Sequence, residues 1–227
     1  MDTRNAILGK IRGALNVAPH DGDRQAAVAA RLRDHAIGII PARGQLPAEQ
    51  RIALFIAMAE KYSATCVRIT EAGDVPGEVS HYLRSRNLPS DIRMGADPLL
   101  ATLPWSNEPT LTVKPGTSDV LDLSGVSRAF GAIAETGTLA LASGADNPTT
   151  INFLPEHHIV VVDAKDVLGD MEAVLARLRR TYGPGEMPRA LNFVTGPSRS
   201  ADIEQTLLLG AHGPKALHII VLGRAED

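Results

Sequence analysis

The sequence predicts an α/β fold, an open three-layer sheet of largely parallel strands with a helical arm at the N-terminus. Two observations carry this. Over residues 158–222, short runs rich in Val, Ile and Leu (158–162, 190–194 and 217–222) alternate with stretches of helical spacing (166–182 and 200–209). Upstream, an amphipathic pattern over 48–62 leads into another apolar run, 65–69. Helices that alternate with strands buried on both faces are the signature of parallel pairing with right-handed crossovers.

The elements follow in order. Ile7, Leu8, Ile11 and Leu15 stand at helical spacing and are cut off by the turn-rich run 19–23, and 25–35 is a more polar surface helix. Residues 1–44 are therefore read as a helical arm and 45–227 as the α/β domain. After Pro41, the helix over 48–62 sets Ile52, Phe55, Ile56 and Ala59 on one face. In the middle, a helix spans about 78–86, then Pro98, Pro104, Pro109 and Pro115 punctuate short pieces whose order the pattern does not specify. Two apolar stretches, 129–134 and 138–142, flank Glu135, Thr136 and Gly137. The helix over 166–182 lines up Val167, Met171, Val174, Leu178 and Tyr182. The strand at 190–194, the helix at 200–209 and the strand at 217–222 complete two consecutive βαβ units, which places the 195–200 turn beyond the carboxyl ends of the strands, where such sheets bind ligands.

Composition narrows the function. The 227 residues hold 23 basic and 26 acidic side chains, a net charge of −3, and only 4% aromatics, which excludes an electrostatic or stacking platform for nucleic acid. The single cysteine, Cys66, lies in an apolar run and reads as a buried strand residue, so the chain can hold neither an internal disulfide nor a cysteine-ligated zinc or iron–sulfur site of its own. No apolar run reaches a membrane span, and residues 1–10 lack the core of a signal peptide, so a cytoplasmic protein is expected. No GxGxxG follows the first legible strand, which argues against a Rossmann-type dinucleotide domain.

The stretch TGPSRSADIE, 195–204, carries the most chemistry. As a strand-to-helix turn it offers unpaired N–H groups and a partial positive charge to an anion. Thr195 and Gly196 open it, Ser198 or Ser200 caps the helix, Arg199 adds a planar cation, and Asp202 either orients these groups or stabilises the helix dipole. The alternative is ordinary capping with a solvated arginine. Glu135, in a tight turn with Thr136, Gly137 and Thr138, is either a partly desolvated general base or a cap for neighbouring N–H groups. His212, between glycines, is a turn residue or part of a second site. A helix over 200–209 would hold it about 15 Å from Ser198. His157 and His158, without a carboxylate pair, make a poor metal site, so no metal is expected.

Three motifs, AETGT at 134–138, TGPSRSADIE at 195–204 and GAHGP at 210–214, with LPEHHIVVV at 154–162 between the first two, give the chain a specific resemblance to the lactate-utilisation (LUD) family over about 45–222. The resemblance implies a fold similar to glucosamine-6-phosphate deaminase, ribose-5-phosphate isomerase and CoA transferases. It implies a role in bacterial oxidation of L-lactate to pyruvate as one of three cytoplasmic proteins, with iron–sulfur clusters only on the partners. That agrees with the cysteine count. The family brings no established catalytic set. The alternative is a stand-alone isomerase or acyl-CoA transferase acting on a sugar phosphate or CoA ester through Glu135, since CoA transferases use a glutamate near a glycine turn as nucleophile. The helical arm would suit an intersubunit contact in a homo-oligomer.

Overall fold

The computed structural model describes residues 3–18, 20–201 and 207–225, with only the backbone of 201, 207 and 208. It divides into two compact units, Met1–Ile39 and Ile40–Asp227. The first holds α1 (Thr3–Ala14) and α2 (Gly22–Asp34), neither with a buried residue. Asp21 caps α2 by accepting the Arg24 N–H at 3.0 Å.

The second unit runs α3 (Ala48–Lys61), β1 (Thr65–Ile69), α4 (Val75–Ser85), β2 (Asp91–Met94), α5 (Pro98–Thr102), β3 (Thr112–Pro115), β4 (Ser124–Arg128), β5 (Gly131–Ile133), β6 (Thr138–Ala142), α6 (Thr149–Phe153), β7 (His157–Asp163), β8 (Val167–Leu168), α7 (Met171–Tyr182), β9 (Leu191–Val194), β10 (Arg199–Ala201), β11 (Leu207–Leu209) and β12 (Ala216–Leu222). Six strands form an all-parallel sheet in the order β1-β12-β7-β4-β2-β3. The α/β fold with a largely parallel sheet is thus as expected.

Strand alternation divides the core in two. Val160 and Val162 of β7 and Leu217, Ile219 and Val221 of β12 pack with Ile52, Phe55 and Ala59 of α3 and with Leu139 and Leu141 of β6. Ile159, Val161, Ile220 and Leu222, one residue out of phase, pack with Val75, Val79, Tyr82 and Leu83 of α4. Both faces of the central strands are therefore dry, which is why these runs are continuously apolar.

Three expectations fail. The strand at 190–194 does not enter the parallel sheet. β9 pairs antiparallel with β6 in a second, four-stranded sheet, β8-β5-β6-β9, so there are no two consecutive βαβ units. Its partial burial, with Phe193 exposed, suits an edge strand and not one covered on both faces. The helix expected over 166–182 begins only at Met171, because Asp170 accepts the Ala173 N–H at 2.9 Å and caps it, leaving Val167 and Leu168 to pair with β5. The helix expected over 200–209 is replaced by a hairpin of β10 and β11 flanking 202–206. Among the described residues no helix is long and apolar enough to cross a membrane. Cys66 lies half-buried in β1, its thiol pushed up to about 12 by burial, and so stays protonated and unreactive at neutral pH.

Candidate functional site

Two of the motifs meet because β6 and β9 are partners. Leu139 pairs with Val194, so Thr138 and Thr195 emerge side by side, and their hydroxyls lie 2.7 Å apart. Thr136 extends the chain, with its Oγ1 2.7 Å from that of Thr138. Both motif glycines press on the end of α3. Gly137 has φ +66°, and a Cβ there would lie 2.4 Å from the Ala59 nitrogen. Gly196 has φ +70°, and its Cβ would lie 2.1 Å from the Tyr62 carbonyl oxygen. Each position demands glycine twice, for conformation and for space. Arg199 tethers the turn to the same place, donating from Nη2 to the Tyr62 carbonyl at 3.0 Å and to the Ser63 hydroxyl.

The 195–200 turn is therefore not a helix start. Ser198 N–H donates to the Pro214 carbonyl at 2.8 Å, and its own carbonyl accepts from Gly210 at 3.0 Å. Ser200 pairs with Leu208 in the hairpin. The helical reading rested on a short apolar pattern in which strand and helix cannot be told apart, and antiparallel pairing satisfies the backbone instead. The same hairpin overturns the separation of His212 from Ser198: the His212 N–H points to Ser198 Oγ at 3.3 Å. Asp202 lies outside the described residues.

Beneath the turn is a cavity of about 280 Å³ lined by Asn152, His158, Thr195, Gly196, Ser198, Arg199 and His212, with Phe153, Phe193 and Leu217 as apolar walls. His158 and Leu217 belong to the first turns of β7 and β12, so the cavity sits at the amino ends of the parallel strands and not beyond their carboxyl ends as expected. His158 is fully buried, and its Nε2 is 2.7 Å from Ser127 Oγ on the neighbouring β4. Its Nδ1 has no hydrogen-bond partner among the described residues, and neither has Oδ1 or Nδ2 of the buried Asn152. Burial holds the His158 pKa down at about 3, so the ring is neutral. Arg199 and His212 are solvent-exposed at the rim.

The opposite face holds a contrasting group. The Tyr82 ring stacks on His218 at 4.4 Å, and its hydroxyl lies 3.0 Å from His157 Nδ1. Thr65 Oγ1 is 2.8 Å from His218 Nδ1. Glu78 Oε1 is 3.3 Å from His218 Nε2, close enough for an electrostatic interaction although outside hydrogen-bond geometry. Burial lowers both pKa values, that of His218 to about 4, and raises that of Glu78. The adjacent histidines thus face opposite sides of the sheet. No group of three or more His, Cys, Asp or Glu side chains able to hold a metal ion occurs among the described residues.

Glu135 stands apart from the cavity. It is buried, its N–H donates to the Gly169 carbonyl at 3.2 Å, and Arg43 Nε approaches Oε2 at 3.6 Å, an ion-pair distance without a hydrogen bond. The structure thus brings Thr195, Gly196, Ser198, Arg199 and His212 onto one cavity, while Glu135, Thr136, Gly137 and Thr138 do not line it. Reading from sequence missed Asn152 and Ser127 and gave His158 no role. The signal for His158 was its phase: it alternates with Val160 and Val162 and must point into a dry face.

This architecture and motif set define an α/β protein, of which residues 123–222 match the family model described as LUD domain, a span that contains all three motifs. The resemblance drawn from the motifs holds over that span. Among curated proteins the chain is similar to lactate utilization protein C of Geobacillus thermodenitrificans, 40% identical over 110 residues, covering 47% of this chain and 46% of the relative. It is also similar to lactate utilization protein C of Shouchella clausii, 37% identical over 90 residues, 39% of each chain. The matched stretch thus spans less than half the length of these relatives. The crystal structure of a DUF162 family protein from Deinococcus radiodurans shares the fold, with a TM-score of 0.53 and 24% identity over 78% of this chain and 99% of that one.

Proposed function

We propose that the protein serves lactate utilisation as a non-redox subunit of an L-lactate-oxidising system, works beside iron–sulfur partner proteins, and binds a small anion at the 195–200 turn. The observation that carries this reading is the similarity to proteins named lactate utilization protein C, beside the family-model match over 123–222, which includes the turn and GAHGP. A single cysteine leaves redox clusters to the partners. A tagged chain recovered from cells grown on lactate should bring down iron-containing proteins together with lactate-oxidising activity. Recovery of the chain alone, iron-free and inactive, would sink the subunit reading.

A second reading, a stand-alone isomerase or acyl-CoA transferase on a sugar phosphate or CoA ester, is favoured by one feature: the buried Glu135 Oε2 has no hydrogen-bond partner among the described residues. Under it, Glu135→Gln would abolish turnover of such a compound while leaving the fold intact.

A further inference from the structure

The cavity beneath the 195–200 turn holds more unmet hydrogen-bonding capacity than the fold requires. Three atoms on its lining residues, His158 Nδ1 and Asn152 Oδ1 and Nδ2, are buried without partners among the described residues. Buried polar groups are nearly always paired, because a bare one costs about 1–3 kcal/mol. Two such side chains on one cavity mark it as built to receive something polar.

The character of these groups limits what that is. His158 is neutral near pH 7, and Asn152 carries no charge, so the floor offers neutral donors and acceptors. With Nε2 engaged by Ser127, only Nδ1 is left to face a ligand. At the rim, Arg199 is the one fixed cation among the described residues that line the cavity. The floor therefore asks for an uncharged oxygen and the rim for an anion, with Phe193 and Leu217 receiving a short alkyl group between them. A cavity of about 280 Å³ suits a ligand of few heavy atoms.

Resting on the reading that the turn takes a small anion, we propose that this cavity binds a short 2-hydroxy- or 2-oxo-carboxylate, with its carboxylate at Arg199 and its neutral 2-oxygen between His158 and Asn152. Asn152 and His158 then set specificity, and Arg199 supplies attraction common to all short carboxylates.

Calorimetric titration of the full chain with L-lactate, pyruvate and propionate tests this, propionate having the carboxylate and alkyl group but no 2-oxygen. Lactate or pyruvate should bind at least tenfold more tightly than propionate. Asn152→Leu should remove that preference, and Arg199→Ala should weaken all three, with circular dichroism confirming that each variant is folded. Equal binding of propionate would reduce the cavity to a simple anion site and overturn the proposal. So would an unchanged preference in folded Asn152→Leu, or no binding at millimolar ligand, which would leave the polar atoms to ordered water. These outcomes are separable from complex membership: partner recovery without ligand binding would keep the subunit reading and end this one.

Discussion

His157 and His158 are neighbours in β7, yet the two faces of the sheet treat them differently. On the α4 face, His157 and His218 sit against one tyrosine, and a hydroxyl lies within hydrogen-bond distance of Nδ1 on each ring. On the α3 face, His158 has Ser127 on one nitrogen and no hydrogen-bond partner among the described residues on the other, and the Asn152 side-chain amide beside the same cavity has none among them either. Burial lowers the pKa of all three histidines, so a depressed pKa does not separate a structural histidine from a ligand-facing one. What separates the faces is the setting: the imidazoles of the α4 face pack against Tyr82, and the unpartnered His218 Nε2 lies 3.3 Å from Glu78 Oε1, whereas His158 Nδ1 and the Asn152 amide belong to residues that line a cavity.

Acid should have the largest effect, and it should act on both faces. Folded His218 and His158 have pKa values of about 4 and about 3, against about 6.5 in an unfolded chain. Between those limits the unfolded state binds more protons, so stability is fully present above about pH 6.5 and is lost as pH falls toward 4 and then 3. Glu78 works in the opposite sense over its own range, because burial raises its pKa. Urea unfolding at stepped pH should show a loss of a few kcal/mol between pH 6.5 and 4. A flat profile would mean that neither histidine is held neutral by burial. His218→Gln and His158→Gln should each reduce the slope.

Tyr82→Phe should come next, and it probes the α4 face alone. Losing the hydroxyl strands the His157 Nδ1 while the ring still stacks on His218, for a cost of about 1–3 kcal/mol in urea unfolding. A change within error would show that the hydroxyl contact contributes nothing, and the contrast between the faces would lose its structural half.

The sequence made the central layer legible and its partner sheet opaque. β7 and β12 were readable because strands covered on both faces must be apolar throughout, and α3 because its buried stripe has helical period. β9 looks similar over a few residues, but whether such a run joins the parallel sheet or pairs with β6 depends on contacts far along the chain. The same tertiary dependence turned 199–201 and 207–209 into strands, since a short apolar pattern is ambiguous and pairing decides it. The 195–200 turn stands out in the sequence as a helix start, but what gathers around it is a cavity and not a helix dipole. Asn152, in the five-residue α6, and Ser127, in a strand of small residues, carry no periodic mark that would reveal them.

The smallest expected effect is the most discriminating. Asn152→Leu removes two buried polar atoms that make no hydrogen bond among the described residues, so it deletes a desolvation cost without deleting a bond. Leucine also adds apolar surface beside Phe153 and Leu217 on the cavity wall. Stability should therefore stay within about 1 kcal/mol of the parent or rise slightly, opposite in sign to Tyr82→Phe across the sheet. Thermal melts of the two single variants and the double variant would measure both terms, and their effects should add, since the groups face opposite sides of the sheet. A loss of several kcal/mol in Asn152→Leu would make Asn152 a packing or hydrogen-bonding residue of the fold. The cavity on the α3 face would then lose the unmet hydrogen-bonding capacity on which its proposed ligand role rests.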